Sequence, residues 1–224
     1  MLDQEPNILL ADYTAETVFS RFFENEIVAT PIDIELGLEI LPSDNEAALP
    51  MALMKINYFV EEILYNCVAV SVDNAEAFSF LIDERGAVRL RNRLMLTPHQ
   101  PSDELLATLL QSKFDALVGE DLRVTSCRVV SRSILDVGFT FIGRGHQVLP
   151  DIKEWIGEHS FFDAPWWSRD DASIFDIKPA PDADLSVPPA WAFDIGDIVT
   201  PKPTTGGVVV RPDFRPKVVD GGKS

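Results

Sequence analysis

The sequence predicts an α+β fold: a mainly antiparallel sheet with helices packed on it, followed by a long extended Pro-rich C-terminal arm. Three observations carry that expectation. Apolar residues alternate with acids in "IDIELGLEIL", the mark of a strand with one buried face. Apolar residues recur at helical spacing in stretches flanked by runs that read as strands. Those strand runs follow one another through short turns, without the strand–helix–strand alternation of a parallel α/β sheet.

Taken in order, Thr14 reads as the N-cap of a helix to about Ile27, with Val18, Phe19, Phe22, Phe23 and Ile27 on one face. After Pro31 the period changes to two, and Asp33, Glu35 and Glu39 line the outer face of the strand, a guard against edge pairing. "PSDNEAALP" is a loop, and Pro50 suits the first turn of a helix over Met51–Tyr65. "NCVAVSV", "AFSFLID" and "AVRLRNRLML" then read as three strands of a meander. Ser102 caps the next helix, whose first turn carries Asp103 and Glu104 at its positive end, and Gly119 stops it. "DLRVTSCRVV" and "LDVGFTFIG" are two further strands, and "PDIKEWIGEH" is a short helix. The core order is thus α-β-β-β-α-β-β. The chain divides into a helix–strand lead (1–49), an α+β core domain (50–145), and a short helix with an extended arm (146–224).

The net charge of −17 is unevenly spread. Residues 1–50 carry eleven acids and one base, and residues 150–200 carry eleven acids and three bases. Residues 51–149 are nearly balanced, with twelve acids and ten bases. Such acidity disfavours nucleic acid and anionic membrane, which need clustered Lys and Arg. It suits solubility or a basic protein partner equally. The N-terminus lacks a basic leader, no run approaches the ~20 apolar residues of a membrane span, and Cys67 and Cys127 sit in apolar runs as inert thiols. A reduced, cytoplasmic protein is the expectation.

No reaction is written in the motifs. His99, His146 and His159 have no local nucleophile, and Asp151, Glu154 and Glu158 read as a solvated helix face rather than a cation site. The terminal "GGKS" lacks the upstream glycines and following helix of a phosphate loop. The expectation is a protein that is not an enzyme, with no cofactor, metal or small-molecule ligand. Its candidate sites are partner-binding. Arg89, Arg91 and Arg93 share one strand face and could contact an acidic surface, including the flank of another copy. Paired acids on a neighbouring strand are the alternative use for these arginines and for Arg123, Arg128 and Arg132. Trp166 and Trp167, then Trp191, Phe193 and Ile195 in "PPAWAFDIGDIVTPKPTTGG", are apolar segments on stiff proline spacers. They would cover either a neighbour or this chain's own core.

The section "VRLRNRLMLTPHQPSDELLATLLQSKFDAL", with a helix and paired strands before it and two strands after it, resembles the tail-terminator and tail-completion (neck) proteins of long-tailed bacteriophages. The resemblance spans about residues 50–143 and lies in the order of elements. It implies a small α+β subunit of a hexameric ring, joined to neighbouring assembly subunits without catalysis. It further implies a protein made in the host cytoplasm and incorporated in a virion. The other class open to the sequence is an acidic cytoplasmic binding protein, an immunity protein or adaptor that neutralises a basic partner.

Overall fold

The computed structural model of the chain describes residues 9–23, 26–42, 46–65, 67–77, 93–120, 122–132, 137–156, 167, 169–171 and 173–175. Its centre is a long hairpin of β1 (Leu9–Phe23) and β2 (Glu26–Ile40), antiparallel and paired in register from Leu9↔Ile40 to Phe23↔Glu26. The helix expected from Thr14 to Ile27 is therefore a strand in β1. Tyr13, Thr17 and Phe19 alternate inward, and across the hairpin Thr17 meets Ile32 and Ala15 meets Ile34. The helical spacing of Val18, Phe19 and Phe22 belongs to two sheet faces, with Phe19 in the main core and Phe22 against the second. β-Branched and aromatic residues opposite a strongly alternating partner favour pairing over a local helix.

Helix α1 (Ala48–Tyr58) runs straight into a π-helical turn, Phe59–Leu64, and both lie on the inner face of the hairpin. Tyr13 donates from its hydroxyl to Asn57 Oδ1 at 2.6 Å, tying β1 to α1. The second long helix, α2 (Asp103–Val118), starts as expected: Ser102 Oγ accepts from Leu105 N at 3.2 Å. Phe59 and Phe114 meet edge to face with centroids 5.3 Å apart, joining the π-turn to α2. Strand β5 (Leu122–Ser131) pairs with β2, and β6 (Gly138–Ile142) pairs with β5, both antiparallel.

The sheet is mixed rather than mainly antiparallel. β3 (Val68–Ser71) runs parallel to β1, and β4 (Leu94–Thr97) runs parallel to β3; β7 (Ser173–Phe175) is antiparallel to β4. Among the described residues, seven strands stand in the order β6-β5-β2-β1-β3-β4-β7. The meander expected after α1 is thus replaced by a crossover between parallel strands. "VAVS" and "LMLT" explain why: every residue in both is buried. Ala69 and Met95 face the main core beneath α1 and α2, whereas Val68, Val70, Leu94 and Leu96 form a second core. That second core is covered by Phe22 and by Ile152, Trp155 and Ile156, on and just beyond the short helix α3 (Ile152–Trp155). Continuous apolar runs buried on both faces are what parallel strands carry, and alternation is what half-wet antiparallel strands carry. The strand expected over 77–83 lies outside the described residues except for Ala77, which is buried in the second core.

One helix side chain stitches the far end of the sheet. Gln111, wholly buried, donates from Nε2 to the Val124 carbonyl at 2.6 Å and accepts at Oε1 from Gly145 N at 2.6 Å. Asp115 Oδ1 takes the Val124 amide at 2.8 Å. These groups sit beside a β-bulge opposite Gly37 and beyond the last β5–β6 pair, where ladder partners run out. Gly145 is required there, because a Cβ would lie 2.4 Å from the Thr108 carbonyl oxygen. Gln111→Ala should lower the unfolding free energy by about 2–4 kcal/mol, since two buried backbone groups lose their partner and a void opens. Urea titration measures it, and a loss below about 0.5 kcal/mol would mean that solvent replaces the amide.

Candidate functional site

The acidic row of β2 is met by the arginines of β5. On the sheet face opposite α1 and α2, Glu35 pairs with Arg128 (2.6 Å) and Glu39 with Arg123 (3.6 Å), each directly across the strand register. Arg132, just past β5, reaches Asp33 Oδ1 at 2.7 Å and Glu16 Oε1 at 2.6 Å through Nη2, and donates from Nε to Asp33 Oδ2 at 2.9 Å. Glu16 and Asp33 are themselves directly opposed on β1 and β2, so Arg132 relieves a like-charge pair. Its hydrogen bonds to Asp33 and then to Glu16 hold its guanidinium pKa above the ordinary value. A shallow cleft of about 210 Å³ beside it is lined by Val18, Pro31 and Tyr65 as well as these charges. Of the two uses open to these three arginines in the sequence, pairing with acids of the same chain is the one realised.

A second ion pair holds the inner face. Arg21 on β1 donates to Asp103 at the start of α2 and to Ser131 Oγ at 2.8 Å, while Ser131 Oγ donates to Asp103 Oδ1 at 2.7 Å. A third charged group is more deeply placed: Lys113 on α2 is fully buried. Desolvation pushes its ammonium down to about 8, opposed by the negative charge of Asp171. Above it, Arg169 Nε lies 3.5 Å from Asp171 Oδ2, and Ser173 Oγ donates to Asp171 Oδ1 at 3.0 Å. Arg169 and Asp170 take left-handed φ values of 41° and 58°, unusual for side-chain-bearing residues. Arg169, Asp170 and Asp171 therefore lie close to Lys113 on α2, and Trp167 is half-buried against the main core. Lys113 carried a signal in the sequence, for it falls within the helix's apolar stripe between Leu110 and Leu117.

The third feature is the β6 edge. Val137, Phe139, Ile142 and Val148 are large apolar residues left exposed, Ile142 at 77%. Among the described residues β6 is the last strand on its side of the sheet, and Gly138–Ile142 contains no charge and no proline. Of the partner-binding candidates, Arg89, Arg91, Trp166, Trp191, Phe193 and Ile195 lie outside the described residues. Arg93 immediately precedes β4, where its carbonyl accepts from Val68 N at 2.8 Å. His99 Nδ1 lies 2.9 Å from Asp73 Oδ2 in an exposed pair. Among the described residues, no three His, Cys, Asp or Glu side chains converge as a metal site. No helix among them is long and apolar enough to cross a membrane.

No family model matches the chain, and no curated protein matches it. Among solved structures, it is similar to a catalytic-residue mutant of 6-pyruvoyltetrahydropterin synthase from Plasmodium vivax, at 9% identity and a TM-score of 0.36. That match covers 60% of this chain and 99% of the other. At this level the likeness carries no statement about activity, and the reading of function rests on this chain's own surfaces.

Lys113 gives a pH test of the cover over α2. Its folded pKa is lowered to about 8 from 10.5, so between those values the unfolded chain holds more protons and stability rises with pH. Cys127 and Tyr13 work in the opposite sense. Burial pushes both up, and stability falls as pH passes the ordinary thiol and phenol values. Comparison with a Lys113→Met variant isolates the lysine. The variant's Tm minus that of the wild type should fall by about 4–7 °C from about pH 7.5 to about 9.5. A flat difference in thermal melts would show that Lys113 is solvated.

Proposed function

We propose that this chain is a non-enzymatic assembly protein that works by contact with further copies of itself and with neighbouring subunits. The observation that carries the reading is the exposed apolar edge strand β6. Soluble proteins blunt such edges with charge, proline or a covering element, and Gly138–Ile142 has no charge or proline while leaving Phe139 and Ile142 exposed. The arginine ladder adds support by subtraction, since Arg123, Arg128 and Arg132 are already held by acids of the same chain. Contact through apolar strand edges is then a better use of this surface than a basic patch.

The narrower form of the reading places the protein in the neck or tail of a long-tailed bacteriophage. It rests on the order of elements; among the described residues α1, β3, β4, α2, β5 and β6 follow one another, with helical residues 75–77 between β3 and β4.

Light scattering on the purified chain tests the general reading. A particle mass that is a multiple of 24.9 kDa, persisting on dilution into the micromolar range, is the expected result. A strict monomer that captures a basic protein one-to-one would replace it with the acidic binding-protein reading.

A further inference from the structure

We infer that β6 pairs with β6 of a second copy, antiparallel, about a two-fold axis at Thr140, so that one sheet runs through both molecules. The inference rests on the assembly reading above and specifies its contact. Backbone direction comes first. Gly143 N donates to the Thr125 carbonyl at 3.1 Å, so its amide points at β5. Peptide groups alternate along a strand. The amides and carbonyls of Phe139 and Phe141 therefore serve β5, and those of Gly138, Thr140 and Ile142 face the open edge.

The strand is self-complementary in that frame. In "GFTFI" the two phenylalanines flank Thr140 symmetrically. A two-fold axis at Thr140 sets Thr140 opposite Thr140 of the second copy as a hydrogen-bonded pair, with Gly138 opposite Ile142 in the same class. Phe139 then faces Phe141 of the other copy in the intervening non-hydrogen-bonded position, where Cα atoms come to about 4.5 Å and side chains touch most closely. Both phenylalanines lie on the α2 side of the sheet, where Phe141 is partly buried and Phe139 is 44% exposed. Pairing would cover the exposed ring with its partner. On the other face, the glycine at position 138 leaves the place opposite the exposed Ile142 without a competing Cβ.

Charge favours a second copy at this edge over any other approach between two chains of net −17. Leu122–Gly145, which contains β5 and β6, carries four arginines and one aspartate, and with Arg123, Arg128 and Arg132 balanced by Glu39, Glu35, Asp33 and Glu16 this side of the sheet is close to neutral. Two copies meeting here avoid the acid-rich flanks that repel elsewhere. The opposite edge, β7, is three residues long and has Asp170, Asp171 and Asp176 beside it in the sequence. These three charges are all acidic, whereas β6 has one acid and one base beside it, Asp136 and Arg144, and is two residues longer.

Thr140→Pro is the decisive variant. Its missing amide would face the open edge, a place where an edge strand tolerates proline, so the β5–β6 ladder is kept. Light scattering should show the wild type at twice 24.9 kDa, or a multiple built from such pairs. The variant should lose that pairing while its circular dichroism and Tm stay near those of the wild type. Ile142→Lys, at a position already exposed, should do the same. Thr140→Cys gives the positive arm. Hydrogen-bonded pairs hold Cα atoms about 5.5 Å apart, within disulfide reach. Mild oxidation should then yield a cross-linked dimer, with the buried Cys67 and Cys127 as silent background. An assembly whose mass is unchanged by Thr140→Pro and Ile142→Lys, with no cross-link at Thr140→Cys, overturns this pairing and leaves the assembly reading standing. A wild-type chain that is monomeric at every concentration overturns both. Should Thr140→Pro fail to fold, the cross-link alone decides.

Discussion

The fifteen-residue register between β1 and β2 is the constraint on which the rest of this fold depends. A slip by one residue would turn Ile32, Ile34, Leu36 and Leu38 out to solvent and Asp33, Glu35 and Glu39 into the core. With the register fixed, β2 offers its acids to β5 and its aliphatics to α1 and α2. β1 offers its far end, Ser20 and Arg21, to β3. The hairpin is staggered against its neighbours. β5 pairs with one end of β2, while β3 pairs near the turn end of β1. That offset lets one ribbon belong to two differently built halves of the sheet.

The halves differ in how they meet water. The antiparallel half, β6-β5-β2-β1, has a dry face under the helices and a wet face carrying the arginine ladder. Exposed pairs of this kind contribute little stability singly, about 0–1 kcal/mol. Their larger effect is on specificity, because each arginine fits the acid opposite it in one register only. The parallel half, β3 and β4, is dry on both faces, with α3 and its neighbours as the outer cover. Among the described residues of the C-terminal region, Trp167 packs on the main core, Arg169–Asp171 lie by Lys113 of α2 and Ser173–Phe175 form β7, so these residues belong to the body of their own chain. A fully buried lysine beneath that cover is a place where packing overrides the solvation of a charge.

Surfaces rather than a catalytic cleft give the functional reading its content. The cleft beside Arg132 is shallow, and the charges lining it satisfy one another. The β6 edge differs in kind: among the described residues no strand pairs with its outer side, and Gly138–Ile142 itself contains no charge or proline. Assembly by strand addition needs only such an edge and a partner of matching register.

Much of this molecule is legible in its letters. Alternation in "IDIELGLEIL" places β2 and its two faces, and Ser102 and Gly119 bound α2; pairing with acids was one of two uses open to Arg123 and Arg128, and their odd separation meets one face only through the bulge opposite Gly37. Those features are local, for they depend on side-chain period, helix caps and turn residues that act over a few positions. β1 was not legible. Its Val18, Phe19, Phe22 and Phe23 fit a helical stripe, and only β2 on one side with two separate cores on its faces makes it a strand. The parallel placement of β3 and β4, the burial of Lys113 and the open edge of β6 were likewise set by contacts between residues far apart in the chain. Sequence by itself determined which residues avoid water and with what local period. Tertiary structure decided which strand each one meets, because hydrogen bonds between strands carry no preference that a single strand displays.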